Sequence, residues 1–233
     1  MISLVIPLYN EDRQIESLVN HLAALSGIVE IIFVDASDEP ACRLKLVECL
    51  ETAGLSDRSQ LLLSDTAGRA QQMNMGARAA TQSVLLFLHC DTRLPARASS
   101  LIDIAIRNGK VWGRFDVNFD QSGWVFRLIE TMINFRSRCR RLATGDQGIF
   151  VKRELFLELD GFPRIPLMED IAISRVLAQH GKPALIRDPV TTSARRWSNS
   201  GVLRTILLMW KLRLLFWLGR SPEKLALMYR HIR

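Results

Sequence analysis

Residues 84–92 read Val-Leu-Leu-Phe-Leu-His-Cys-Asp-Thr, an apolar run that stops at His89, Cys90, Asp91 and Thr92. A short β-branched and aliphatic run bounded by polar residues reads as a fully buried strand, and such strands belong to sheets covered on both faces. Asp91 then stands at the strand's C-terminal mouth. In open α/β sheets, ligands bind in the crevice outside the carboxyl ends of the strands. A lone carboxylate there is a candidate for holding a divalent ion against phosphates.

Working outward, residues 2–7 read as a first buried strand, and Ile15, Leu18, Val19, Leu22 and Leu25 then recur at helical spacing. Residues 31–34 make a second strand ending in Asp35, after which Leu44, Val47 and Leu50 repeat on one helical face. Residues 61–63 add a strand, and 69–80 a helix whose Ala70, Met73, Ala77 and Ala80 let it lie close to a sheet. This rhythm predicts an α/β fold with a mostly parallel, doubly wound sheet and right-handed crossovers. Beyond it, 111–117 and 148–151 read as strands, and 124–135 and 170–180 as helices. The expected division is a catalytic unit over 1–200, with a nucleotide half over 1–95 and an acceptor half over 96–200. A C-terminal helical appendage over 201–233 follows.

In that appendage, residues 202–218 are apolar but broken by Arg204, Lys211 and Arg213, which argues against a bilayer span. An interfacial amphipathic helix with basic and tryptophan anchors fits; a core or dimer helix is the alternative.

The 233 residues are 48% hydrophobic and 24% charged, which excludes wholesale disorder. A formal charge of +7 implies attraction to something anionic: nucleic acid, a phosphorylated substrate or an acidic membrane surface. The basic residues do not form the aromatic-interleaved stripe of single-strand binders, so nucleic acid is not expected. Cys42, Cys49, Cys90 and Cys139 lack paired metal spacing and the N-terminus shows no signal-peptide pattern, so a cytoplasmic protein is expected.

Several segments carry chemistry. Pro7-Leu8-Tyr9-Asn10-Glu11 follows the first strand and projects over the same crevice as Asp35 and Asp91; alone it would be a loop with Asn10 or Asp12 capping a helix. A ring can flank a base, and a carboxylate can accept hydrogen bonds from base or ribose. Gly68-Arg69 opens a helix, with a glycine for close approach and an arginine able to neutralise a diphosphate. Glu169-Asp170 lies at a helix N-terminus, where a simple N-cap is the plainer reading. Gly145-Asp146-Gln147 precedes a strand, a place from which Asp146 and Gln147 could reach sugar or acceptor hydroxyls, although a tight turn uses the same residues.

In this order and with these gaps, the segments resemble family 2 glycosyltransferases over roughly the first two hundred residues. The motifs are Gly68-Arg69-Ala70, Gln72-Met73-Asn74, Leu88-His89-Cys90-Asp91-Thr92, Gly145-Asp146-Gln147-Gly148, Glu169-Asp170 and Arg195-Arg196-Trp197. The resemblance implies an A-type nucleotide-sugar-binding fold and transfer of a sugar from a nucleotide-diphosphate donor to an acceptor hydroxyl, on a small metabolite or a lipid carrier. Pro7, Tyr9, Glu11 and Asp35 would surround the nucleoside, with Gly68, Arg69 and Asn74 on the same side.

Asp91 matches the second acid of the family's Asp-x-Asp motif and would grip Mg²⁺ or Mn²⁺. His89 stands where the first acid usually stands, and so is left to the ribose or the ion. Asp170, beside Glu169, matches the general base of an inverting displacement. Arg195 or Arg196 would meet the diphosphate and Trp197 an acceptor, but Ser193 replaces the glutamine of the family's processive Gln-x-x-Arg-Trp motif.

Two alternatives are a sugar nucleotidyltransferase, which would want a glycine-rich basic loop after the first strand, and a non-catalytic basic module docking on an anionic surface. As a transferase the protein would work in the cytoplasm or on the inner face of the membrane.

Overall fold

The computed structural model describes residues 1–195 and 201–230. Strands β1 (Ile2–Leu8), β2 (Ile28–Asp35), β3 (Ser59–Leu63), β4 (Val84–Phe87), β5 (Thr92–Arg93), β6 (Trp112–Phe119), β7 (Ile149–Lys152) and β8 (Ala184–Thr192) form one sheet of order β3-β2-β1-β4-β7-β6-β8-β5. The first four run parallel. From there β7 pairs antiparallel with both β4 and β6, β6 and β8 run parallel, and β5 closes the edge antiparallel to β8. The expected α/β fold is therefore present, as a mixed sheet whose parallel half is the N-terminal one.

Strand period explains the two layers of helices. Ile2, Leu4, Ile6, Leu8, Leu86 and Leu88 point to one core, whereas Val5, Leu85 and Phe87 point to another. The first core takes α1 (Asp12–Ala23), α2 (Ala41–Thr52), α4 (Ala98–Arg107) and α5 (Trp124–Arg140). The second takes α3 (Arg69–Ala79), α6 (Arg153–Glu158) and α7 (Glu169–His180). Each fully buried leucine or isoleucine, such as Ile15 or Leu18, contributes about 1.5–3 kcal/mol. On α3, a Cβ at Gly76 would sit 2.5 Å from Val5 Cγ1, so this glycine is what lets α3 lie directly on β1 and β2.

The face expected for α2 is corrected. Leu44 is 68% exposed and Val47 43%, while Cys42, Leu46 and Leu50 are buried. The stripe runs at i, i+4, i+8 from the small Cys42, which lets α2 pack against α1.

Two C-terminal helices, α8 (Val202–Trp217) and α9 (Pro222–Arg230), pack on the start of α7. Leu212 and Leu225 are fully buried in one cluster with Met168 and Ile171, and the Arg175 guanidinium lies 5.5 Å from the Phe216 ring centroid. Among the described residues no helix is long and apolar enough to cross a membrane.

Candidate active site

The carboxyl ends of β1, β2 and β4 open onto one edge of the sheet. Leu8 pairs with Asp35, and the Leu88 N–H donates to the carbonyl of Val5, so the residues after β1, β2 and β4 leave the sheet side by side. Because β7 is antiparallel to β4, with Phe87 opposite Ile149, the turn that precedes β7 comes back to that same edge. The turn is Gly145–Gln147. A Cβ on Gly145 would meet the His89 ring at 2.7 Å and lie 3.8 Å from Asp170 Oδ2. The fold thus brings together His89, two residues from Asp91, with Gly145 and Asp170, from three separate stretches of chain.

Asp170 is held by main chain on both oxygens. The Gly145 N–H donates to Oδ2 at 2.8 Å and the Ile171 N–H to Oδ1 at 2.7 Å. Burial first, then the neighbouring Glu169 and Asp146 carboxylates, push its carboxyl up to about 7 against those two hydrogen bonds. Glu169 is itself buried, and Met168 before it is buried with a left-handed φ of 70°. A non-glycine residue held there stores strain, as switch and active-site positions often do.

On the nucleotide side, Asp35 is 2% exposed. Its Oδ1 accepts from the Ser37 N–H at 3.1 Å and the Ser37 hydroxyl at 2.5 Å, and Arg43 Nε lies 3.2 Å from Oδ2. The exposed Tyr9 donates its hydroxyl to Asp38 at 3.1 Å. Glu11 and Asp91 both act electrostatically on Cys90, whose thiol is pushed up mainly by burial. Arg69 begins α3 and is half-buried.

Gln72 was not singled out for a role of its own by sequence, yet it ties these parts together. Its amide donates to the carbonyls of Leu8 at 2.7 Å and Val34 at 2.8 Å, and its oxygen accepts from the Gly68 N–H at 3.3 Å. The start of α3 is thereby pinned to the ends of β1 and β2. Arg114 and Arg136 also escaped the sequence reading. Burial lowers both guanidinium pKa values, and Asp146 acts on both and Asp170 on Arg136. Arg114 is fully buried on β6, paired with Asp116, which Arg138 also meets.

Four expected site residues do structural work. Asn74 is buried and exchanges two 2.8 Å hydrogen bonds with the main chain of Phe162, which consumes its amide. Gln147 is fully buried; it accepts from the Thr144 N–H and hydroxyl and from Ser137, and donates to the Phe115 carbonyl. Pro7 lies buried within β1 opposite Val34 and gives the crevice no exposed surface. Gly68 has an extended backbone, and a Cβ there would meet only the end of the Gln71 side chain at 3.3 Å, so close approach does not demand glycine. Asp146 is half-buried, and its Oδ1 has no hydrogen-bond partner among the described residues. Arg195 is exposed beyond β8, whereas Arg196 and Trp197 lie outside the described residues.

Among the described residues no group of three or more His, Cys, Asp or Glu could hold a metal by itself. Asp91 offers one carboxylate, which suits an ion held by one or two carboxylates plus substrate phosphates and not an all-protein cage.

The fold is an α/β one with a crevice at the carboxyl ends of its parallel strands. The profile "Glycosyl transferase family 2" matches residues 3–154, and the chain belongs to that family. No curated protein matches it. Among solved structures, a mannosyltransferase from Pyrobaculum calidifontis in complex with GDP-Man and Mn²⁺ superposes with a TM-score of 0.63 at 20% identity, over 82% of this chain and 56% of that one. TarS residues 1–349 from S. aureus, in complex with UDP, gives 0.67 at 16% identity over 82% and 60%. The same TarS segment with UDP-GlcNAc gives 0.64 at 16% over 82% and 58%. The chain therefore spans under two thirds of the structures it resembles.

Proposed function

We propose that the protein transfers a sugar from a nucleoside-diphosphate sugar to an acceptor hydroxyl by a single displacement that inverts the anomeric configuration. The observation that carries this reading is Asp170. It is a carboxylate gripped by two main-chain N–H groups, raised to about 7 and set beside the His89–Asp91 loop, which is what a general base working near neutrality needs. Asp170 would accept the proton of the acceptor hydroxyl as that oxygen attacks from the side opposite the departing diphosphate. Tyr9, Asp35 and Glu11 would hold the nucleoside, with Arg69 at the diphosphate.

Asp91, with His89 beside it, would hold a Mg²⁺ or Mn²⁺ ion through one carboxylate. When bound, such an ion neutralises charge on the leaving phosphates. The supporting fit is the single-carboxylate donor set at the mouth of β4. Residues 1–200 would make up the catalytic unit. Helix α8 would bring the protein to the inner face of the membrane, within reach of a lipid carrier as well as small hydroxylated acceptors.

The test is a thermal-shift screen of uridine and guanosine diphosphates with and without Mn²⁺, on the wild type and Asp91→Asn. A nucleotide should raise the melting temperature more with Mn²⁺, and Asp91→Asn should lose that increment. Indifference of the wild type to every nucleotide would defeat the reading.

A further inference from the structure

Two helices present apolar stripes to solvent. On α5, Trp124, Leu128, Met132 and Phe135 are exposed, Trp124 to 78% and Phe135 to 67%, and their spacing puts them on one face. On α8, Leu207, Trp210, Leu214 and Trp217 recur at i, i+3, i+7 and i+10, and each is more than half exposed. Apolar stripes of this kind on a soluble surface mark contact sites.

Charge is distributed in the same way. Residues 124–141 hold five arginines against Glu130, and residues 201–230 hold six cations against Glu223. These two segments carry formal charges of +4 and +5, so the rest of the +7 chain is net acidic at −2. The excess positive charge thus lies in the two segments that carry these stripes; Arg138 is paired with Asp116, while Arg127, Arg140 and Arg141 are exposed.

The chain leaving α5 reaches the C-terminal helices at one place. Leu142, just beyond α5, packs in the cluster of Leu212, Leu225, Met168 and Ile171. The chain from α5 then runs into Gly145, which donates to Asp170. Amphipathic helices with aromatic residues on the apolar face and Lys or Arg on the polar one lie in the plane of a lipid interface, held by buried area and by attraction to anionic headgroups.

We propose that α5 joins the α8–α9 pair in a single docking face for an anionic phospholipid bilayer, keeping the Asp170 side of the protein at the headgroups. That this side receives the acceptor rests on the transferase reading above; the docking itself rests on the two stripes and their charge.

The experiment is co-sedimentation of the full chain with vesicles of mixed phosphatidylglycerol and phosphatidylcholine, and with phosphatidylcholine alone. The wild type should bind the anionic vesicles and release them at high salt. Substituting the α5 pair (W124S and F135S) and the α8 pair (W210S and W217S) should each weaken binding about tenfold, since each removes two exposed aromatics from the buried area. The charge variant R127S and R140S should weaken binding to anionic vesicles only.

All these side chains are exposed, and an unchanged nucleotide-dependent thermal shift in each variant would show that fold and nucleotide site persist. The proposal is overturned if the wild type ignores anionic vesicles, or if the α5 pair binds them as tightly as the wild type. It is equally overturned if sedimentation velocity finds a dimer that these same substitutions dissociate, which would make the face a self-association surface.

Discussion

The main-chain N–H of Gly145 donates to Oδ2 of Asp170 across 25 positions of sequence, at 2.8 Å, and this one bond joins the turn before β7 to the first turn of α7. Among the described residues, the carboxylate's other main-chain hydrogen bond comes from its own helix, through Ile171.

Asp170→Asn keeps the shape of the side chain and removes the base. Turnover should fall by about 10²–10⁴-fold while the nucleotide-dependent thermal shift is retained. In the wild type, kcat should rise through about pH 7 as the carboxyl ionises. A variant that still turns over would exclude Asp170 as base.

The same carboxyl links stability to pH. Its folded pKa lies above the ordinary value of 3.8, so between that value and about 7 the folded state holds a proton that the unfolded chain has lost. Stability from this group is present at low pH and declines as pH rises through that window. The melting temperature of Asp170→Asn relative to the wild type should therefore be higher at about pH 8 than at about pH 5. An advantage that stays constant with pH would contradict the raised value.

Gly145→Ala places a methyl 2.7 Å from the His89 ring. Either the ring or the turn must move, at a cost of about 1–3 kcal/mol in urea unfolding, and turnover should fall by more than that loss of stability accounts for. Unchanged kcat would mean that the contact is slack.

Gln72→Met removes two donors from the carbonyls of Leu8 and Val34. The Leu8 carbonyl keeps its hydrogen bond from the Ala36 N–H, so the change should cost about 0.5–1.5 kcal/mol for each hydrogen bond lost. Because Gln72 also meets Gly68, the donor KM should rise while kcat holds. A fall in kcat alone would place Gln72 elsewhere in the reaction.

Strands β1, β2 and β4 were legible because continuous apolar runs admit little but a strand buried on both faces, and the acids that end β2 and follow β4 came with them. Strand β8 was not. Its burial alternates, and Pro189 sits where the pairing with β6 shifts register between Phe115 and Asp116, so the run carries a breaker where a strand is bulged. Polar partners are a related case. Asn74 and Gln147 have side chains that suit a ligand, but in the fold the main chain of Phe162, 88 positions away, meets Asn74, and Gln147 is shared among Thr144, Ser137 and the Phe115 carbonyl. Leu44 and Leu50 look alike in sequence, and packing against α1 decides which is covered.

Helices α8 and α9 close over Met168 and Ile171, the residues on either side of Glu169-Asp170. Residues 202–230 are therefore packed against the chain that presents Glu169 and Asp170 and do not stand apart from it. A cavity opened at Leu212 or Leu225 would therefore border the left-handed Met168 directly.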